Sequence, residues 1–429
     1  MEAFDFPSLR HLRMFESVAR LESLSRAAAE VNRSQPAITQ ALNKLEDSLG
    51  VNVIDRHHSG SYLTDCGRIL LLRTRRLFAQ FEQALKEPLI GATVSDKARL
   101  RSILGKITTN HTRCLIATAD SGSIEPAAHN VHVSRASLNR SIRELEQIIG
   151  RRLTRHTAHG VTLTQPGAEL ARRLKLAWTE IEYAREEISA EQGSAKTRIS
   201  IGAMPQCATL VLTSTINEFL RREPGAHVTV ENGSYDALLE NLRMGRSDFL
   251  FGVLRRPDWA TDVSEEPLFS APYAIMARKH HPLTRKSSLT LEDFADYDWV
   301  LPRPGTPRRV SFERMFQSTR RKPGSSVEMS ALDMQIAMIE TSDRITLMSG
   351  QETQRAAKSG SVVALNFRPQ VARGCDGVAT RTGWYPTAGK LLFLKILRER
   401  ALLAGAVLEP SKDKAAQRHI LRRKPEAVA

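Results

Sequence analysis

Apolar residues near the amino terminus recur at helical spacing: Leu12, Phe15, Val18 and Ala19 predict a helix over 9–20. A short second helix holds Ala27, Ala28 and Val31, with Ser25 placed to cap it and small alanines that allow close packing. A third opens at Ser34, a good N-cap, and tolerates Pro36 in its first turn. Ile38, Leu42, Leu45 and Leu49 form its apolar stripe, which leaves Gln35, Ala37, Thr39, Gln40, Asn43 and Lys44 facing outward. Gly50 stops this helix. Residues 51–63, turning at Gly60, read as a two-stranded wing, and after Thr64 a long helix runs over 67–86. The whole is the pattern of a winged helix-turn-helix.

The pattern occurs twice. Shifted by 100 residues, the first 85 or so positions fall on the next block without a gap. Arg13 meets Arg113, Ser23 meets Ser123, Ala27-Ala28 meet Ala127-Ala128, and Ser34 meets Ser134. Leu45-Glu46 meet Leu145-Glu146, Gly50 meets Gly150, and Gly60, Leu63, Thr64 and Gly67 meet Gly160, Leu163, Thr164 and Gly167. A single helix with polar residues outside is more often a solvated face. Recurrence of the full set points to DNA, because short amide and hydroxyl side chains suit base edges and phosphates in a major groove.

Copy two departs in detail. Its third helix carries Ser134, Arg135, Ser137, Asn139, Arg140 and Arg143, with Ala136 in place of the proline. His156 stands at the position of Arg56, Thr154 replaces an apolar wing residue, and Arg151, Arg152 and Arg155 follow. This reads either as phosphate-anchored binding of lower sequence selectivity or as a degenerate copy kept as a spacer or dimer element.

Residues 88–96 form a linker rich in small residues, and Leu100, Ile103, Leu104 and Ile107 predict a helix over 97–107. A second long helix over 168–187 has the stripe Leu170, Leu174, Trp178 or Ala177, and Ile181, and Ile188 continues that face. From residue 197 strands and helices alternate. Strands are predicted at 198–202, 227–231, 248–253, 274–277, 299–301, 344–348, 362–365 and 378–380. Helices are predicted at 208–222, 235–245, 309–318, 331–339 and 387–399, an α/β pattern with mostly parallel sheets. The domain plan is therefore 1–96 and 97–195 for the two winged units with their linker helices, 196–408 for the α/β part, and 409–429 for a basic, disordered tail.

Composition adds limits. The 429 residues are 41% hydrophobic and 25% charged, and no apolar run approaches the ~20 residues of a membrane span. The start lacks a basic segment followed by an apolar one, so a cytoplasmic protein without a signal peptide is expected. Cys66, Cys114, Cys207 and Cys375 are scattered, which argues against a disulfide framework or a zinc ribbon. Net charge is +15, but its placement misleads: 14 basic against 12 acidic residues in 1–100, and 23 against 11 in 301–429. Base reading in the first block must rest on local residues.

The run Ala27-Ala28-Ala29, Ser34-Gln35-Pro36-Ala37-Ile38-Thr39, Leu45-Glu46, Leu49-Gly50-Val51, Arg56, Gly60, Leu63-Thr64 and Gly67 resembles the DNA-binding domain of LysR-type transcriptional regulators. The resemblance implies that Ser34 through Lys44 dock in the major groove. It also implies that Arg56 and the wing touch the backbone, and that the helix after Thr64 pairs with its counterpart in a dimer. The second half resembles the effector domain of the same family, two-lobed like a periplasmic solute-binding protein. Carrying residues are Ile201-Gly202, Leu242-Arg243-x-Gly245-x-x-Asp248, Pro267-Leu268, His281-Pro282-Leu283, Ser342-Asp343-Arg344 and Trp384-x-Pro386-Thr387. Residues 250–255 and 299–302 look most like the subgroup of the galactose-binding-protein regulator.

Ligands of open α/β sheets bind beyond the carboxyl ends of strands. That singles out Met204, Pro205, Gln206 and Cys207 after the first strand, Val253 and Arg255, and Thr306, Arg308 and Ser311. Arg308-Arg309 has the alternative reading of solvated surface, and Cys207 that of an inert thiol. No GxGxxG, Walker loop, HExxH or GxSxG occurs, and His57-His58 and His280-His281 read as loop residues without metal partners. The expectation is a regulator, not an enzyme, with no cofactor and no metal. Its partners are double-stranded DNA, a small-molecule effector (a sugar or an organic or aromatic acid) and its own copies in a homodimer or homotetramer, with RNA polymerase as a further candidate and no membrane. A second reading unit per chain lengthens the footprint or raises avidity. The alternative is a cytoplasmic solute-binding receptor whose duplicated block serves mainly for oligomerisation.

Overall fold

The computed structural model describes residues 6–408 apart from 58–59, 87–96, 159, 194–195, 205–208, 256, 258, 271, 325, 330, 359 and 372–373. The linker 88–96, the tail 409–429, and Pro205, Gln206 and Cys207 lie outside the described residues. The chain divides into two compact units, Met1–Thr197 and Arg198–Ala429.

In the first unit, α1 (Leu9–Leu21), α2 (Leu24–Glu30) and α3 (Gln35–Leu49) precede the hairpin β1 (Ile54–His57) and β2 (Gly60–Leu63), then α4 (Asp65–Lys86) and α5 (Lys97–Lys106). Copy two repeats the order as α6 (Thr109–Ser121), α7 (Ile124–Asn130), α8 (Arg135–Ile149), β3 (Thr154–Thr157), β4 (Gly160–Leu163) and α9 (Gln165–Glu191). Ser23, not Ser25, caps α2: its hydroxyl accepts from Arg26 N at 3.3 Å, and Ser25 lies within the helix facing Gln35. Helix α9 starts earlier and ends later than its stripe implied, because Thr164 caps it and Pro166 fits its first turn.

The recurrent Leu-Thr-x-x-Gly has a steric cause. Each threonine hydroxyl accepts from the glycine N–H three residues on, at 2.9 and 3.2 Å. A side chain on Gly67 would put its Cβ 2.0 Å from the Val53 carbonyl oxygen, and on Gly167 2.2 Å from that of Leu153. Only glycine lets the long helices cross the wing backbone this closely.

In the second unit, β5 (Arg198–Ala203), α10 (Thr209–Arg222), β6 (His227–Asn232), α11 (Tyr235–Arg243), β7 (Phe249–Val253) and β8 (Val263–Phe269) build most of one lobe. The other holds β9 (Tyr273–Arg278), α12 (Leu291–Phe294), β10 (Trp299–Leu301), α13 (Pro307–Met315), β11 (Ser326–Glu328), α14 (Leu332–Glu340), β12 (Ile345–Ser349), α15 (Gly350–Ala357) and β13 (Val362–Ala364). The chain then returns through β14 (Asp376–Arg381) and α16 (Ala388–Leu408). Strand orders are β6-β5-β7-β14-β8 and β11-β10-β12-β9-β13.

The sheets are mixed rather than mostly parallel. In each, two adjacent pairings are parallel and two antiparallel, because β14 inserts between β7 and β8, and β9 between β12 and β13. Strands β8 and β11 and helices α12 and α15 were not apparent from periodicity. Several shared motif residues have packing roles. The Asp248 carboxylate accepts from Ser200 N at 2.9 Å and pairs with Lys390 at 3.2 Å. Arg243 pairs with Asp262 at 3.0 Å. His281, read from sequence as a loop residue, is buried: Nδ1 accepts from Leu283 N at 3.1 Å and Nε2 faces Asp343 O at 3.0 Å. Burial pulls its pKa below the usual imidazole value, so the ring is a neutral, satisfied core group.

Candidate nucleic-acid interface

On α3 the buried residues are Ile38, Ala41, Leu42 and Leu45, and the opposite face is open. Gln35, Pro36, Gln40, Asn43 and Lys44 are exposed, and Ala37 and Thr39 half-buried. Gln35, Pro36, Thr39, Gln40 and Asn43 line one shallow depression. Ser34 occupies the N-cap position without a side-chain cap bond, which leaves its hydroxyl open to another acceptor or donor; in copy two, Ser134 accepts from Ser137 N at 3.1 Å.

A glutamate ties each third helix to its wing. Glu46 Oε1 accepts from Val53 N and Ile54 N at 2.9 and 3.2 Å. Glu146 Oε1 accepts from Leu153 N and Thr154 N at 2.7 and 2.9 Å, and from the Thr154 hydroxyl at 2.9 Å. Thr154 thus satisfies its polar group where copy one has the buried Ile54. The other oxygen of Glu46 takes Arg56 at 3.3 Å, and Arg56 also donates to Asn43 Oδ1 at 2.7 Å. The wing cation is therefore held beside the recognition helix. This glutamate is not among the sequence-predicted contact residues, although the recurrent Leu-Glu is a visible signal.

A second depression, at the turn between α2 and α3, is lined by Arg10, Asn32, Arg33, Ser34 and small alanines. Arg10 and Arg33 are likewise not among the sequence-predicted contact residues. Copy two has Asn110 and Val133 at these positions and places its cations on α8 itself: Arg135, Arg140 and Arg143 are exposed, as are Arg152 and Arg155 of the wing. Arg135 comes within 3.5 Å of the exposed Glu125.

The two winged units do not stand apart. Helices α4 and α9 run antiparallel, with Arg73 beside Glu187, Arg76 and Gln80 beside Glu180, and Phe81 beside Trp178. Arg73 is fully buried and donates to Glu180 at 2.8 Å and to Glu187 at 2.9 Å. Burial works against its charge, and the two carboxylates more than restore it. Trp178 meets Phe6 edge-on at 4.8 Å and donates to Thr112 at 3.1 Å. One apolar core contains Leu70, Leu77 and Phe81 of copy one with Leu170, Leu174, Trp178 and Ile181 of copy two. The pairing that the resemblance assigned to a second chain is made here inside one chain.

In the second unit the sequence-predicted effector residues fall on both lobes. Met204 follows β5 and lies against Gly252, where a Cβ would come within 2.8 Å of its side chain. Val253 is buried at the end of β7. Arg255 stacks on Tyr235 at 4.7 Å and nears Asp236 at 3.9 Å, while its buried Nε has no hydrogen-bond partner among the described residues. On the other lobe Thr306 caps α13 and Ser311 is buried. Arg308 is not solvated surface: it pairs with the buried Glu352 and reaches Gln335 at 3.4 Å, and Arg309 pairs with Glu313 and Glu328 at 2.8 and 2.9 Å.

Two winged helix-turn-helix units with open third helices, followed by a two-lobed α/β receptor unit, define a DNA-binding regulator with an effector domain. The bacterial regulatory helix-turn-helix model of the lysR family matches residues 9–68 and again 109–168, and the LysR substrate binding domain matches 192–402. The chain belongs to the LysR family of transcriptional regulators. It is 27% identical over 397 residues to the HTH-type transcriptional regulator GalR of Pseudomonas putida, covering 92% of this chain and 98% of that protein. To GbpR of Rhizobium radiobacter it is 28% identical over 215 residues, 48% of this chain and 69% of that one. A full-length OxyR variant from Pseudomonas aeruginosa has the same kind of fold, with a TM-score of 0.52 and 20% identity over 72% of this chain and 98% of that one. Regulators of this family bind DNA and a small-molecule effector. Among the described residues no helix is long and apolar enough to cross a membrane.

Proposed function

We propose that this regulator reads double-stranded DNA with the outer face of α3. Gln35, Pro36, Ala37, Thr39, Gln40 and Asn43 meet base edges, and Ser34, Lys44, Arg56, Arg10 and Arg33 meet phosphates. In α8, Ser134, Arg135, Ser137, Asn139, Arg140 and Arg143 form the second contact surface. The carrying observation is that in both copies a glutamate locks an open polar third helix to its wing. The effector is a small sugar or organic acid held between the lobes by Met204, Val253, Arg255, Thr306 and Ser311. The Arg255 Nε, without a hydrogen-bond partner among the described residues, supports a ligand with an acceptor oxygen. Arg308 serves to hold the α13 start on Glu352. The protein is cytoplasmic, performs no catalysis, and acts on transcription as an assembly of at least two chains, with RNA polymerase the partner it would recruit.

Gel-shift titration of the full chain with promoter DNA tests the DNA reading. Asn43→Ala/Lys44→Ala is expected to weaken binding about tenfold or more, since a bidentate base contact is worth about 1–3 kcal/mol and loss of a phosphate contact adds to it. Unchanged affinity and footprint would remove α3 from the interface. A thermal-shift series of sugars and aromatic acids identifies the effector by the stabilisation that native-state binding confers.

A further inference from the structure

The two copies touch at equivalent positions. Gln80 Nε2 donates to Glu180 Oε1 at 2.7 Å, and Leu9 N donates to Thr109 Oγ1 at 2.8 Å; each pair is separated by the repeat length of 100. Contacts between equivalent residues lie on a local two-fold axis, as in an isologous dimer. The chain is thus internally paired, with α3 and α8 at equivalent positions on the two sides of that axis. The pairing also distinguishes its partners. Arg73, Arg76 and Gln80 all converge on Glu180. A second copy of this segment would offer Gln80 where Glu180 stands, though Glu87 where Glu187 stands, so the buried Arg73 would have one carboxylate fewer and α4 is better matched by α9 than by another α4.

The two helices held in this way are chemically unlike. At equivalent positions Gln35, Gln40 and Asn43 face Arg135, Arg140 and Arg143. Amides favour adenine edges, whereas guanidiniums favour guanine and phosphate. We propose that one chain, not a pair of chains, grips a two-half-site DNA element, and that the halves are unequal: an amide-read half under α3 and a guanidinium-held half under α8. This rests on DNA binding by the family and goes beyond it in assigning both halves of one element to one chain.

Random-duplex selection with the full-length protein tests this. Three forms are compared: the unaltered chain, Thr39→Ala/Gln40→Ala, and Arg140→Ala/Arg143→Ala, all substitutions at outward-facing positions. The expected motif is asymmetric. The α3 variant loses sequence information in one half only, and the α8 variant in the other half only. The α8 variant also lowers the slope of log affinity against log salt by about 2 wherever both arginines meet phosphates. If two chains instead supplied identical copies to the two halves, the motif would be palindromic and each variant would degrade both halves alike, which overturns the proposal. An α8 variant that selects the same motif at the same affinity also overturns it. Recovery of no duplex by the unaltered chain would sink the DNA reading itself, a result distinct from a palindrome.

Discussion

Trp178→Ala is expected to cost the amino-terminal unit about 3–5 kcal/mol, the range for deleting a buried aromatic. The indole is 1% exposed and lies where the copies join, against Phe6 and Phe81, with its N–H on Thr112. The loss combines cavity formation, two edge-on ring contacts and the indole N–H bond accepted by Thr112, whose hydroxyl still donates to Thr109 O at 2.8 Å. Denaturant titration followed by helical circular dichroism, with each unit's transition resolved, measures it. The transition of the effector unit should not move. A shift below about 1 kcal/mol in the amino-terminal transition would mean that the copies are stable without their joint core, and the internal pairing would lose its energetic basis.

The second large effect concerns charge rather than volume. Glu180→Gln keeps the shape but takes one of two carboxylates from the fully buried Arg73, leaving Glu187, and takes a carboxylate from Arg76. Removing one member of a buried ion pair costs about 3–5 kcal/mol because the remaining charge is left undercompensated. A cycle of Arg73→Met, Glu180→Leu and both together separates pair from packing. The double variant is expected to be less destabilised than the sum of the singles by about 2 kcal/mol, since apolar replacement of both partners removes the buried charge. Strict additivity would show that the two residues do not act as a pair.

Much of the first unit was legible because its constraints are local and doubled. Gly50 and Gly150 end their helices with φ of 70° and 79°, a conformation glycine adopts without strain. The same doubling held a correction that periodicity alone overlooked. Ser23 recurs as Ser123, whereas Ser25 meets Glu125, and it is Ser23 that caps α2. Recurrence likewise marked Glu46, whose role needed the wing to be folded back onto α3 before its backbone donors came into reach.

The second unit was legible only in outline. Strand β8 contains Glu265, Glu266 and Pro267, which break apolar alternation, yet pairs along β14 because that strand returns from more than 100 residues away. Strand direction in a mixed sheet depends on such long-range insertions, and no window of local sequence contains them. Arg308 shows the same limit at a candidate site. An arginine pair beside a strand end looks solvated until Glu352 of α15 is packed against it.

Periodicity, caps and the 100-residue self-match were therefore sufficient for two winged units and an α/β receptor, since each depends on residues within a few turns of one another. Folding had to bring distant residues together before the duplication acquired its meaning. Both a spacer and a reading unit were open to copy two as written. Packing of α9 on α4, with Arg73 enclosed by Glu180 and Glu187, makes it the internal partner of copy one, while α8 keeps its cationic face exposed. That outcome lies in burial and charge pairing across 100 residues of chain, which local spacing does not encode.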